Sequence, residues 1–301
     1  MAVIEKSFKR GEIIVKEGEP GKSFFQLIEG KVGVYADYDK KEPFRLAILE
    51  PSEYFGEMAI LEEYPRSSTV VAEGNVTILE IPGGDLNAFF REDTDRIYQL
   101  MLHLGTRVDT MTKDYIDAQR LLKEARESDA AKKKSLFSKL KKHIDMYQAN
   151  KNGISELADE GLTEAFASIP KEVDKTKTYS KGMIVFKEGE VGHSMYILRE
   201  GSIGMYNDYR KREEVKTEEL NAVAIFGEIG MITGEPRPAS AIADEGNTVV
   251  ETIHEDDLED IFKRNPTKVN LILKHLSYTL RRLNIDFLRV CKEITETYGN
   301  T

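Results

Sequence analysis

Two segments of this chain each carry a glutamate and an arginine at a spacing that suits anion binding. Arg66 follows Glu57 by nine positions, and Arg237 follows Glu228 by nine positions. A glycine precedes each glutamate and a proline precedes each arginine. A planar guanidinium can hold a phosphate with two hydrogen bonds, and a short helical turn after the glycine would add free backbone N–H groups. Each segment therefore supplies a phosphate clamp and a carboxylate acceptor for a sugar hydroxyl, without a nucleophile or a metal cluster.

The two segments belong to a long internal repeat. The run from Gly11 to Gly21 reads GEIIVKEGEPG and the run from Gly182 to Gly192 reads GMIVFKEGEVG, an offset of 171 positions. The same offset relates the two glutamate–arginine segments, and after one inserted residue near Asp244 an offset of 172 continues the repeat. A repeat unit of more than about a hundred residues is far longer than a solenoid repeat. It indicates a duplicated domain.

Each repeat begins with short segments of β-branched and aromatic residues between glycine, proline and aspartate turns. Such segments are typical of a β sandwich, barrel or jelly roll. Gly18, Gly21 and Gly30 are predicted to need tight turns or a positive φ. In the first repeat the predicted strands are Ile13–Val15, Phe24–Ile28, Val32–Tyr35 and Phe44–Leu49.

Each repeat ends in a helical pattern. Apolar residues recur at three and four positions from Leu100 to Leu122 and from Leu276 to Cys291, which predicts long amphipathic helices. Between the repeats, a basic helix is predicted over Lys132 to Tyr147, with Leu136, Leu140, Ile144 and Tyr147 on one face, and a second helix over Ser155 to Ile169. The predicted fold is mainly β with α: two jelly-roll β barrels, each followed by a long amphipathic helix and joined by a helical connector. The predicted domains are residues 1–125, the connector 126–153 and residues 154–301.

The composition narrows the classes of function. Hydrophobic residues make up 40% and charged residues 32% of the 301 residues, which is ordinary for a globular protein. The net charge of −10 argues against a protein that coats nucleic acid. Cys291 is the single cysteine, which excludes a disulfide framework and suits a reducing cytoplasm. No apolar run is long enough to span a bilayer, so a membrane is not expected as a partner. A nucleic acid is not expected either, because of the negative net charge.

The glutamate–arginine segments resemble the phosphate-binding cassette of cyclic-nucleotide-binding domains. These domains occur in regulatory subunits of protein kinase A, in bacterial catabolite activators and in nucleotide-gated channels. The resemblance covers roughly Phe8 to Ala125 and Tyr179 to Ile294, with the order of glycines, glutamate, proline and arginine repeated in both. It implies that a cyclic nucleotide, cAMP or cGMP, is a regulatory ligand, that no other cofactor is needed, and that the chain is not an enzyme.

The resemblance also implies roles for matching residues. The two glutamates would accept from the ribose 2′-hydroxyl, the two arginines would hold the cyclic phosphate, and neighbouring backbone amides and small side chains would line the pocket. The implied ligand-binding residues are Gly56, Glu57, Ala59, Arg66, Ser67, Ser68, Gly227, Glu228, Gly230, Arg237, Ala239 and Ser240.

The sequence indicates less clearly which purine base the nucleotide carries. Pro238 removes an amide donor after the second arginine and carries no hydroxyl, which favours cAMP over cGMP, whereas Ser67 is ambiguous. Tyr115 and Phe287 lie at equivalent helix positions, where each could stack on a purine or form part of the apolar seam of its helix. Thr112 or Asn284 could contact the edge of the base.

The resemblance implies that ligand binding moves the helices after each barrel and that an unidentified protein effector receives the signal. The apolar face of the last helix could pair with a second copy, giving a homodimer, or pack on its own barrel. Three alternatives differ in class: a metal-dependent jelly-roll enzyme, a transcription regulator without its own DNA-binding domain, and a scaffold or adaptor with vestigial pockets. Such an enzyme needs clustered metal ligands, and the five histidines are scattered along the sequence.

Overall fold

The computed structural model describes residues 3–36, 38–39, 43–61, 65–127, 130–150 and 161–298. The chain forms two compact units. The first comprises Met1–Asp93, Arg107–Leu157 and Ser277–Thr301, and the second comprises Thr94–Thr106 and Ala158–Leu276. The strands of the first sequence repeat lie in the first unit, and those of the second repeat lie in the second unit.

The strands of the first unit form two four-stranded antiparallel sheets, in the orders β1-β8-β3-β6 and β2-β7-β4-β5. Non-consecutive strands are neighbours in both sheets, as in a jelly roll. The strands are β1 (Ile4–Phe8), β2 (Ile13–Val15), β3 (Ser23–Glu29), β4 (Val32–Ala36), β5 (Phe44–Leu49), β6 (Tyr54–Phe55), β7 (Thr69–Ala72) and β8 (Val76–Pro82).

The second unit repeats this topology, with antiparallel sheets in the orders β9-β16-β11-β14 and β10-β15-β12-β13. Its strands are β9 (Thr176–Tyr179), β10 (Ile184–Phe186), β11 (Ser194–Glu200), β12 (Ser202–Asn207), β13 (Val215–Asn221), β14 (Ala224–Phe226), β15 (Ser240–Ala243) and β16 (Thr248–His254). Two jelly-roll domains, as the sequence predicts, are confirmed.

Eight helices occur among the described residues. The two longest, α3 and α8, follow the two barrels and are amphipathic, which confirms the predicted helices. The helices are α1 (Met58–Leu61), α2 (Leu86–Glu92), α3 (Asp95–Glu127), α4 (Ala130–Asn150), α5 (Leu162–Ser168), α6 (Glu228–Thr233), α7 (Leu258–Arg264) and α8 (Pro266–Tyr298). None of these helices combines the length and the apolar content that crossing a membrane requires.

Each barrel has its own apolar core because alternate strand residues point inward. In the first barrel, Leu27, Val32 and Ile78 are fully buried, and in the second, Leu198 and Ile203 are fully buried. These residues come from both sheets of their barrel. The core therefore holds the two sheets together and fixes the loops at the barrel end.

The helices of the first unit also pack together through apolar side chains. Leu136 and Leu140 of α4 are buried with Leu122 of α3, and Ile144 packs against the same cluster. In a neighbouring cluster, Tyr147 packs against buried side chains of α3 and α8. The apolar face predicted for the connector helix is confirmed, whereas residues 155–160 of the second predicted helix lie outside the described residues.

The predicted role of Gly21 in backbone conformation is wrong. Gly18 and Gly30 adopt positive φ values of 81° and 86°, whereas Gly21 does not have a positive φ. A Cβ at Gly21 would lie 2.5 Å from the Cβ of Ala59 and 2.8 Å from the Cζ of Arg66. This glycine is required for space, because the arginine side chain occupies the position of its missing methyl group.

Candidate ligand-binding sites

The candidate site of each domain is a loop between two strands that starts with a glycine and a short helix. In the first domain, strand β6 ends at Phe55 and Gly56 adopts a φ of +76°. In the second, Gly227 has a φ of +73° at the start of α6. A side chain is strained in this region of φ. The glycine therefore lets the chain turn directly from the strand into the helix, whose first N–H groups lack partners within the helix.

The guanidinium of Arg66 lies inside the first loop and bonds to backbone carbonyls. Its Nη1 donates to the carbonyl of Gly56 at 2.6 Å, and its Nη2 donates to the carbonyl of Ser23. The Cζ atom lies 5.6 Å from the ring centre of Phe25, within cation–π range. The residue is only 9% exposed. These contacts hold the cation against the start of α1.

Arg237 occupies the equivalent position in the second loop. Its Nη1 donates to the carbonyl of Gly227, and its Nη2 donates to the carbonyl of Ser194 at 2.6 Å. The Cζ atom lies 4.5 Å from the ring centre of Phe186 and 5.9 Å from that of Tyr196. Among the described residues, no hydrogen-bond partner reaches its buried Nε, and the residue is 3% exposed. The guanidinium thus retains an unused donor.

Turns on the other side of each loop fix the backbone of the arginine. The N–H of Arg66 donates to the carbonyl of Glu19, and its carbonyl accepts from the N–H of Gly18, both at 2.9 Å. Arg237 makes the same pair of bonds with the turn at Gly189 and Glu190, also at 2.9 Å. The arginine side chains therefore start from fixed backbone positions.

Burial lowers the pKa of both arginines, because the charged guanidinium loses contact with water. Glu57 partly offsets this effect at Arg66, and Tyr196 and then Glu228 do so at Arg237. Among the described residues, the hydrogen bonds of both guanidiniums go to neutral carbonyls. Each site therefore holds a buried positive charge that an anion would stabilise.

The glutamates at equivalent positions of the two repeats are both buried, but their partners differ. The side chain of Glu57 is 2% exposed, and its Oε1 accepts from Nη1 of Arg107 on α3 at 2.7 Å. The side chain of Glu228 is 10% exposed, and its Oε1 lies 3.4 Å from Nε2 of His275 on α8. In each domain, a basic side chain of the long helix thus contacts the glutamate of the loop.

Four of the remaining predicted residues are buried. Ala59 in α1 and Gly230 in α6 are buried beside the arginines, and a Cβ on Gly230 would lie 3.1 Å from Nη1 of Arg237. Ala239 is buried next to the loop. The hydroxyl of Ser240 accepts from the N–H of Glu188 at 2.9 Å.

The two serines after the first arginine are more accessible. Ser67 is exposed and Ser68 is half-buried. Pro238, at the position equivalent to Ser67, is exposed, and its carbonyl accepts from the side-chain amide of Asn207 at 2.9 Å.

The candidate base contacts on the long helices have partners within the first unit. Phe287 is buried in a cluster with Cys291, and Tyr115 packs against that cluster. The hydroxyl of Thr112 donates to the carbonyl of Val108, and the amide of Asn284 donates to the carbonyl of Leu280, one turn earlier in their own helices.

Several side chains of the site were not predicted from sequence. Arg107 and His275 contact the glutamates, and Phe25, Phe186 and Tyr196 lie against the guanidiniums. The sequence contains a signal for the aromatic set, since Phe25 and Tyr196 occupy equivalent positions at the offset of 171. Arg107 has no such signal, because its equivalent in the second repeat is Thr279.

The fold and the site define a class: paired jelly-roll domains, each with a buried arginine held at the start of a short helix. The family profile described as the cyclic nucleotide-binding domain matches residues 5–93 and 176–265, more than half of the chain. The chain therefore belongs to the cyclic nucleotide-binding domain family and carries two such domains in tandem.

The individual relatives and solved structures share only about a quarter or less of their residues with this chain. The chain is 26% identical over 245 residues to the cAMP-dependent protein kinase type II regulatory subunit of Drosophila melanogaster, covering 81% of this chain and 51% of the relative. It is 27% identical over 239 residues to the cGMP-dependent protein kinase of Plasmodium berghei, covering 79% of this chain and 21% of the relative. The structure of the regulatory domain of Toxoplasma gondii PKA with cAMP is 20% identical, with a TM-score of 0.28 and coverage of 91% of this chain and 85% of the other. The chain spans about half or less of the length of the first two relatives.

Proposed function

We propose that this chain is a cyclic nucleotide sensor that binds one nucleotide in each domain, with cAMP preferred over cGMP. The observation that carries the proposal is the pair of buried guanidiniums. Arg66 and Arg237 are each held against backbone carbonyls at the start of a short helix. In this account, the cyclic phosphate replaces those carbonyls as the acceptor.

The charge of the ligand fits this site. A cyclic monophosphate carries one negative charge, and each loop supplies one buried arginine. Bonds between a guanidinium and a phosphate are stronger than bonds to a neutral carbonyl. The unused Nε donor of Arg237 gives the second site an additional bond to offer. We therefore expect nucleotide binding to reorient each guanidinium rather than leave it on the carbonyls.

Glu57 and Glu228 are proposed as acceptors for the ribose 2′-hydroxyl, with Gly56, Ala59, Ser67 and Ser68 lining the first pocket. In the second pocket, the proposed lining residues are Gly227, Gly230, Ala239 and Ser240. Ser240 would contribute through packing, because its hydroxyl is already bonded to the N–H of Glu188. The preference for cAMP rests on Pro238, which offers no hydroxyl or N–H to a guanine.

The same glutamates support the proposal that ligand binding moves the long helices. Glu57 is paired with Arg107 of α3, and Glu228 lies beside His275 of α8. A ribose hydroxyl that bonds to the glutamate competes with the basic side chain of the helix. Ligand can shift the position of the helix only by its difference in affinity for the two positions, and this competition is a source of such a difference.

The output of the sensor is proposed to be a protein effector. The Drosophila relative is named as the regulatory subunit of a kinase, which supports regulation of a partner rather than catalysis by this chain. The domain boundaries at 1–125, 126–153 and 154–301, a cytoplasmic location and the absence of nucleic-acid binding stay predictions from sequence. Among the described residues, no cluster of three or more potential metal ligands supports a metal-dependent enzyme.

Isothermal titration with cAMP and with cGMP tests the proposal. Arg66→Ala and Arg237→Ala are each expected to weaken their own site by about 30-fold or more, since truncating one member of a desolvated charge pair costs about 2–5 kcal/mol. The matched controls are the exposed Arg10→Ala and Arg212→Ala, one in each domain, and both should bind as the wild type does. Heat of binding that is unchanged in both site variants, or absent with both nucleotides in the wild type, contradicts the proposal.

A further inference from the structure

A chain of four charged side chains runs through the second unit, outside the arginine loop. Arg199 belongs to β11, Glu251 to β16 and Lys268 to the first turn of α8, and Glu172 precedes β9. The side chains of Arg199, Glu251 and Lys268 are only 2%, 0% and 1% exposed, and that of Glu172 is 25% exposed. Burial of this degree is uncommon for charged residues unless they are paired.

The four charges alternate in sign, and each is bonded to the next. Nε of Arg199 donates to Oε2 of Glu251 at 2.7 Å. Nζ of Lys268 donates to Oε1 of the same Glu251 at 2.5 Å and to Oε1 of Glu172 at 2.9 Å. The two positive and two negative charges of these residues balance, and the exposed Arg264 also lies 3.9 Å from Oε2 of Glu172.

Arg199 extends this network to helix α5. Its Nη1 donates to the carbonyl of Phe166 at 2.9 Å and lies 3.3 Å from the carbonyl of Ile169. The last carbonyls of a helix lack partners within the helix and carry a partial negative charge. One connected network therefore joins the end of α5, two strands of the barrel and the first turn of α8.

The first repeat shows that the barrel does not need the charged pair on its two strands. At the offsets of 171 and 172, Arg199 corresponds to Ile28 and Glu251 corresponds to Leu79. A buried ion network is also a weak source of stability, because removing its charges from water costs as much as their attraction returns. The charges of the second domain therefore call for an explanation other than folding of the barrel.

We propose that this network is a lock that fixes the first turn of α8 and the end of α5 to the barrel of the second domain. Each bond offsets part of the cost of burying these charges, and breaking one removes a partner of a buried group, so the connected elements are held as one body. Movement of α8 on ligand binding then starts beyond residues 266–272, which stay with the barrel. This last statement rests on the proposed function, whereas the lock itself does not.

Hydrogen exchange on the full chain tests the lock without ligand. In Lys268→Met and in Glu251→Gln, the amides of residues 162–168 and 266–272 are expected to lose protection together, by about a hundredfold, because a buried charge loses one of its two bonded partners. The matched control is Lys263→Met on α7, whose side chain is 59% exposed and pairs with Glu259. The control should leave both segments unchanged.

The same hydrogen-exchange measurement with cAMP added is the second part of the experiment. In the wild type, exchange at residues 266–272 should not respond to cAMP, and in Lys268→Met it should. If cAMP binds nowhere, the proposed function fails, and the ligand-free comparison still decides the lock. If a single variant does not fold, Arg199→Ile combined with Glu251→Leu reproduces the apolar pair of the first repeat and should fold with both residues 162–168 and residues 266–272 deprotected, because the bonds to α5 and to Lys268 are both removed. Unchanged protection of both segments, or loss in only one, overturns the lock.

Discussion

Replacing Gly192 by alanine places a methyl group where the guanidinium of Arg237 lies. The added Cβ would be 2.0 Å from Nη2, 2.2 Å from Cζ and 2.3 Å from Nε of the arginine. Ordinary contacts between such atoms are about 3.5–4.0 Å, so the guanidinium must move by roughly 1.5 Å. Gly192 has no positive φ, so alanine adds no backbone strain and the effect isolates the position of the arginine.

The expected loss of affinity follows from the bonds that the displaced guanidinium cannot make. A hydrogen bond to a charged group contributes about 1.5–3 kcal/mol. Losing one bond to the cyclic phosphate would therefore weaken cAMP binding at the second site by roughly 10- to 100-fold. The protein should still fold, because the clashing atoms lie at the flexible end of a side chain.

Titration with cAMP in an Arg66→Ala background measures the second site alone. The matched control is Gly246→Ala, where an added Cβ meets nothing within 4 Å and no positive φ is required. Gly192→Ala should lose affinity while Gly246→Ala retains it. Equal cAMP affinity of the two variants, with both folded, would refute the assignment of Arg237 as the phosphate ligand.

Three further predictions concern the neighbours of the sites and one buried thiol. Arg107→Ala should strengthen cAMP binding at the first site, because the ribose hydroxyl no longer competes with Arg107 for Glu57; titration in the Arg237→Ala background, with Arg10→Ala as control, would contradict this if the affinity stayed the same or fell. Ser240→Ala should lower the free energy of unfolding by about 1–3 kcal/mol, measured by denaturant titration, because a backbone N–H loses its acceptor; an unchanged midpoint would count against that bond. Burial raises the pKa of the Cys291 thiol to about 12 from an ordinary value of 9.0. The folded state therefore keeps this proton to a higher pH than the unfolded state does, and the free energy of unfolding should fall as the pH rises from about 9 to 12. Cys291→Ala should lack this component of the pH dependence, and identical thermal profiles of variant and wild type over that range would contradict it.

Local sequence patterns predicted most of the fold. The strand Phe44–Leu49 has the predicted bounds, and the periodic apolar positions from Leu100 to Leu122 lie in one long helix. These elements follow from short-range preferences, namely alternation in strands and spacing of three and four residues in helices. The repeat then extended each inference from one domain to the other.

The contacts around the arginines could not be predicted in the same way. Arg107 lies 50 positions after Glu57, and Arg199 is bonded to Glu251 across 52 positions. Such pairs depend on how strands and helices pack in three dimensions, which a local pattern does not encode. Gly21 is instructive because its sequence context predicts a turn, whereas the side chain of Arg66 requires its lack of a Cβ.

The number of cAMP molecules bound per chain tests the central claim most directly. Equilibrium dialysis with labelled cAMP should give two molecules for the wild type, one for Arg66→Ala, one for Arg237→Ala and none for the double variant, at concentrations between the affinities of intact and mutated sites. A wild-type chain that binds no cAMP, or a double variant that still binds two, would contradict the claim that these two arginines hold the nucleotide.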